Sequence, residues 1–151
     1  MASLFKEIVI AAPRELIWGA IRDVGALHTR LVPGLVVDTQ LDGDARIVTF
    51  DNGMIVREPI ISIDDLHYRL AWSAENEALT HYNAAIQVFD EQVGSRIVWV
   101  TDFLPDEAAT MIDELQDRGL ATMKRTLEIA AELRTIAPWS FEIGPVRSPM
   151  R

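Results

Sequence analysis

From Leu35 onward the spacing of apolar residues changes period once, after Leu104. Before it, apolar and polar residues alternate through a series of short runs, the period-two pattern of strands with one buried face. The clearest run is 80–89, which sets Tyr82, Ala84, Ile86 and Val88 on one face and His81, Asn83 and Gln87 on the other. In 96–104, Ile97, Trp99, Thr101 and Phe103 share a face. After Pro105 the spacing lengthens: Ile112, Leu115, Gly119, Met123, Leu127, Ala130 and Leu133 recur at steps of three and four, which predicts one amphipathic helix over 106–137. Asp106 offers an N-cap carboxylate, and Glu107 puts negative charge in the first turn, where the helix dipole favours it. Fully helical, the segment would run roughly 45 Å. A helix of that length with one apolar face needs a broad surface to lie on, and the strands supply it.

The strand signals fall at 35–41, 45–50, 54–63, 67–73, 80–89 and 96–104. Turn residues separate them: Asp42-Gly43-Asp44, Asp51-Asn52-Gly53, Asp64-Asp65, a polar loop at 74–78, and Gly94-Ser95. Hairpin-length connections require antiparallel pairing. Pro59 inside the third run implies an edge position or a bulge. Upstream, 4–11 reads as a further strand. Pro13 then suits the first turn of a helix whose buried face is Ile17, Ala20, Ile21 and Val24, with Trp18 beside it. Gly25 breaks that pattern, and 26–31 forms a second short helix ending at Pro33-Gly34. The expected architecture is α+β: seven antiparallel strands wrapped around a long C-terminal helix, in a single domain over 1–137. Residues 138–151, with Pro138, Gly144, Pro145 and Pro149, form a separate Pro-rich tail. Its Trp139, Phe141 and Ile143 alternate, a pattern suited to docking on the body or on a second copy in a homodimer.

Composition narrows the function classes. The net charge is −9 and the isoelectric point about 4.7, with lysine and arginine scattered, so no nucleic-acid partner is expected. Cysteine is absent, which removes disulfides, thiolate metal sites and cysteine nucleophiles. No charged leader precedes an apolar core, and no apolar run approaches the roughly 20 residues that span a bilayer. A soluble cytoplasmic protein without integral membrane association is the expectation. His28, His67 and His81 lie in separate elements without metal-ligand spacing. Neither a glycine-rich phosphate loop nor a nucleophile elbow is present, so neither metal nor cofactor is expected.

The order of elements, strand, two short helices, six antiparallel strands and a long terminal helix, resembles the helix-grip fold of the SRPBCC or START-like superfamily. That superfamily includes birch-pollen-allergen-type proteins, polyketide cyclases and lipid-transfer domains. "AAPRELIWGAIRDV" resembles its opening, and "GSRIVWVTDFLP" resembles the last strand of the bacterial polyketide-cyclase-like branch. "VREPIISIDDLHYRLAW" and "LTHYNAAIQV" are similar to the corresponding stretches of plant abscisic-acid receptors. The chain departs from those receptors at their gate and latch, where it has only "DNGM" and "NEAL", and from the bacterial branch in lacking a tryptophan before Pro33-Gly34. The resemblance implies a cavity between sheet and terminal helix, and it directs the face carrying Glu58 toward that cavity.

Within that frame Glu58 has two readings: a cavity anchor for a hydroxyl or amine (or a base), or a solvent-face charge, since Ile55, Ile61 and Ile63 on the opposite set are as apolar. Tyr82 is either a cavity phenol or a core tyrosine. Arg30, near the cationic anchor of the receptors, is either a partner for Glu58 or a surface arginine. Ile60, Leu70, Trp72, Ala84 and Trp99 would complete an apolar wall, with Gly119, Met123 and Leu127 from the helix. Gly119 marks a kink, space for a ligand, or a boundary between two shorter helices. The implied function is binding or carriage of a hydrophobic small molecule such as a lipid, isoprenoid or aromatic polyketide. Two alternatives stand beside it. One is a cyclase or dehydratase in which Glu58 removes a proton beside a carbonyl while Tyr82 or Arg30 stabilises the enolate oxygen. The other is a sensor whose occupancy regulates a partner.

Overall fold

A computed structural model describes residues 1–136. The alternating runs form one antiparallel sheet of seven strands: β1 (Ala2–Ile10), β2 (Val36–Asp42), β3 (Ala45–Phe50), β4 (Ile55–Asp64), β5 (Arg69–Ser73), β6 (His81–Asp90) and β7 (Ser95–Leu104), in the spatial order β1-β7-β6-β5-β4-β3-β2. Helix α1 (Arg14–Arg22) follows β1, and helix α2 (Ala109–Ile136) closes the described chain. This is the helix-grip arrangement. The inner faces of β6 and β7 are those the alternation assigns: Ala84, Ile86, Val88, Ile97, Trp99, Thr101 and Phe103 are all buried.

Several local expectations need correction. The second short helix of 26–31 is a 3₁₀ turn, Val24–Ala26, run into one wide π turn, Leu27–Leu31, in which the Val32 amide donates to the Leu27 carbonyl (2.9 Å). Pro59 is not on an edge. It stands opposite Ala45 where β4 leaves β3, and the ladder to β5 begins at Ile60 with a register shift before Ser62. The missing amide therefore falls at a changeover between partners, beside a bulge. Asp106 is not a side-chain cap. Pro105 precedes a single 3₁₀ turn, Asp106–Ala108, and the Asp106 carboxylate stands 3.6 Å from the Met1 ammonium. Helix α2 runs without interruption through Gly119, so that glycine marks no boundary between helices. Leu133 is half exposed, because the last turns of α2 run past the sheet, and Ala137 with the tail lies outside the described residues.

Helix α2 is held to β1 by polar contacts along its length. Lys6 Nζ donates to Asp113 (2.6 Å) and Asp117 (2.7 Å), Glu128 accepts from the Ala11 amide (2.9 Å), and Lys124 donates to the Val9 carbonyl (2.8 Å). The paired carboxylates hold the Lys6 ammonium above its usual range. At the other end of the sheet, α1 is fastened to the β4–β5 turn. Trp18 donates to Asp65 (2.8 Å) and stacks on Tyr68 at 5.6 Å, and Arg22 bonds the same carboxylate (2.7 Å). Between these two fastenings the inner face of the sheet and α2 stand apart over a cavity. Among the described residues no helix is long and apolar enough to cross a membrane.

Candidate functional site

The cavity has a volume of about 110 Å³ and lies between α2, the 27–36 segment and the inner faces of β3 to β7. Its wall is mainly apolar, with Leu70, Trp72, Ile86 and Trp99 from the sheet and Ile112 and Met123 from the helix. The partly exposed lining residues Met54, Asn76, Leu79 and Met111 mark its mouth, between the β3–β4 turn, the β5–β6 loop and the first turns of α2. Arg118 of α2 spans that side to Asp51 of the β3–β4 turn (2.7 Å).

Two polar groupings interrupt the apolar wall. Arg46 and Glu58 are register partners on β3 and β4, both buried, and Arg46 Nε donates to Glu58 Oε1 at 2.8 Å. The guanidinium lies 5.7 Å from the ring centre of Trp72 and also reaches the Val24 carbonyl (3.4 Å). Arginine suits this position because its planar fork can bond a carboxylate while its face meets an aromatic ring. On the helix side, Gln116 Nε2 donates to Thr101 Oγ1 (2.7 Å) and, more weakly, to the Tyr82 hydroxyl (3.4 Å). Burial first, and the nearby Glu58 charge second, push the Tyr82 phenol up to about 12. The phenol is therefore a hydrogen-bond donor at neutral pH and not a base. The indole nitrogens of Trp72 and Trp99 and the Gln116 Oε1 are buried without a partner among the described residues.

Of the residues singled out in the sequence, Glu58, Tyr82, Leu70, Trp72, Trp99, Gly119 and Met123 line this one cavity. Ala84 and Leu127 are buried in the core, and Ile60 packs against that core, but none of the three reaches the cavity wall. Arg30 is displaced altogether. Its guanidinium pairs with Asp23 (2.9 Å) and is half exposed, because the wide turn at Leu27–Leu31 points it back along α1. The cation that meets Glu58 is Arg46, its cross-strand partner, and of the two readings of Arg30 the surface arginine stands, outside the cavity wall.

Arg46 and Gln116 escape an apolar periodicity for the same reason: each is polar, and each stands where an apolar residue is expected. Gln116 has a detectable signal, since it lies four residues after Ile112 and three before Gly119, within the buried stripe of the helix. Arg46 is found only by working out the hairpin register around the 51–53 turn. Among the described residues no group of three histidine, cysteine, aspartate or glutamate side chains is placed to hold a metal ion.

Solved structures share the architecture at low identity. XoxI from Bacillus cereus superposes with a TM-score of 0.75 at 22% identity, covering 84% of this chain and 96% of that one. A point mutant of norcoclaurine synthase from Thalictrum flavum, in complex with a transition-state analogue, gives 0.67 at 22%, covering 89% and 96%. The ZhuI aromatase/cyclase from Streptomyces sp. R1128 gives 0.67 at 17%, covering 89% and 95%. At these identities the likeness concerns the fold alone. No match is found among the curated proteins. A family model covers nearly all of the described chain, matching residues 1–128, and the chain belongs to the family described as polyketide cyclase / dehydrase and lipid transport.

Proposed function

We propose that this protein binds a small, mainly hydrophobic molecule in the cavity between sheet and α2, with Glu58, Arg46 and Tyr82 as its polar anchors. The observation that carries the reading is the buried Arg46–Glu58 pair in an otherwise apolar wall. Removing two charges from water costs several kcal/mol per ion before their attraction is counted, and well-packed apolar residues of similar volume are often as stable or more so. A fold has little to gain from such a pair at a cavity wall, whereas a ligand can use it. The volume of about 110 Å³ suits one small ring. A lipid chain, an isoprenoid or a fused-ring polyketide would need the mouth between the β3–β4 turn and α2 to open. Native mass spectrometry of chain purified without detergent tests the reading: a retained small molecule that leaves on denaturation is the expected result. Bare chain, together with no displaceable binding of an apolar fluorescent probe, would sink it.

A second reading is supported by Glu58 and Tyr82 lining one cavity. In it, Glu58 removes a proton beside a ketone carbonyl and the Tyr82 hydroxyl donates to the enolate oxygen. Deuterium uptake by a small ketone in heavy water, lost in Glu58→Gln, would be its signature. Uptake no faster than in buffer would remove it and leave binding.

A further inference from the structure

The unpartnered polar atoms around the cavity restrict the chemistry of what enters it. Gln116 is 2% exposed, and its Nε2 is engaged by Thr101 and Tyr82, while its Oε1 meets nothing. Turning the amide over would exchange the bare end without removing it. A buried polar atom without a partner is unfavourable and uncommon, so each such atom calls for an explanation. Two more belong to residues of the same wall, the indole N–H groups of Trp72 and Trp99, but both are sealed from the space and held by rigid rings. The Gln116 amide is the one of the three that can turn toward the space.

Charge narrows the class further. The charged side chains lining the cavity among the described residues are Arg46 and Glu58, and each is taken up by the other. Their charges cancel, so neither an anion nor a cation meets a net opposite charge on the wall. Size narrows it again. A cavity of about 110 Å³ is comparable to the engineered apolar cavity of about 150 Å³ that takes up benzene.

We propose that the ligand is a neutral single-ring molecule carrying a hydroxyl, which donates to Gln116 Oε1 and accepts from the Tyr82 phenol. This rests on the binding function proposed above and specifies its ligand. A hydroxyl can both donate and accept, so one group meets either end of the Gln116 amide as well as the phenol. The Gln116 oxygen is sealed from water in the empty cavity, but the terminal torsion of glutamine is soft, and a small rotation presents it to an incoming donor. Gln116 then acts as a specificity-determining residue, because a site that must hydrogen-bond a hydroxyl discriminates against an analogue lacking it far more strongly than an apolar pocket senses a methyl group.

Four probes test this on the full chain by titration calorimetry at neutral pH: toluene, anisole, phenol and benzoate. Phenol should bind about tenfold or more tightly than toluene or anisole, and benzoate most weakly. In Gln116→Leu, phenol should fall to the level of toluene measured in that same variant. Should the variant not fold, the wild-type ranking decides alone. Toluene or anisole binding as tightly as phenol would overturn the hydroxyl assignment and leave the cavity-binding function standing. Benzoate binding best would overturn the neutral class. If none of the four binds, the single-ring assignment falls, and the binding function is decided by the mass spectrometry and the fluorescent probe above.

Discussion

Tyr82 holds its proton far into the alkaline range, and this has a consequence for stability that can be signed. An exposed tyrosine releases its proton near pH 10, whereas the buried phenol keeps it to about 12. Between those values the folded chain binds more protons than the unfolded one, so stability present below pH 10 is lost as pH rises toward 12. Tyr82→Phe should remove a decline on the order of 2 kcal/mol from the alkaline limb, read as the difference between denaturant titrations of the two proteins at pH 9 and pH 11.5. Parallel limbs would mean that the phenol is not sealed. The Arg46–Glu58 pair makes the opposite kind of prediction, one of composition rather than pH. Glu58→Gln leaves a buried guanidinium uncompensated and should destabilise the chain by about 3 kcal/mol, while Arg46→Met combined with Glu58→Leu should recover most or all of that loss. Equal stability of wild type and Glu58→Gln in urea would show that the pair is not buried as described. At this scale the sequence was only half readable. The three-residue turn at Asp51-Asn52-Gly53 forms as its residues suggest, with Gly53 at φ +87° and the Phe50 amide bonded to the Met54 carbonyl (2.9 Å), so that Arg46 faces Glu58. Register sets the two charges opposite one another, but apolar alternation does not say that both are buried.

Among the elements, α2 was the most legible and also concealed the most. Its period-three-and-four stripe predicts its length and buried face, but a stripe read for apolar residues skips the glutamine within it. Gly119 was the residue left open, and its surroundings decide between the readings. A Cβ there would stand 3.4 Å and 3.5 Å from the Trp99 ring and 3.9 Å from Leu35, which is ordinary contact. Gly119→Ala should therefore be accepted and raise stability by up to about 1 kcal/mol through helix propensity. Gly119→Leu extends into the cavity from the helix side. It should abolish probe binding, and thermal unfolding followed by circular dichroism should show whether the fold survives the insertion. Unchanged affinity in the leucine variant would place the ligand elsewhere. The short segment after α1 was the least legible element, because a 3₁₀ turn fused to a π turn has no hydrophobic period of its own, and it was this turn that carried Arg30 away from the site.

For the molecule as a whole, the order of elements was enough to read the architecture, since hairpin connections leave few ways to arrange six consecutive strands before a long helix. What the order does not show is that the first strand crosses to join the last: β1 lies beside β7 and pairs Ala2 with Phe103 and Ile10 with Ser95. β1 therefore leaves the ribosome well before β7 and must wait for it. Throughout that interval β1, with its alternating Phe5 and Val9 on one side and Leu4 and Ile8 on the other, has no native neighbour to pair with. Non-local pairing of this kind slows folding, and unpaired strands are where nascent chains associate with one another. A ribosome-bound chain halted before Ser95 should accordingly be sensitive to protease and retained by chaperones, and one halted after α2 has emerged should be resistant. Protection already complete in the shorter chain would show that β1 finds another partner first.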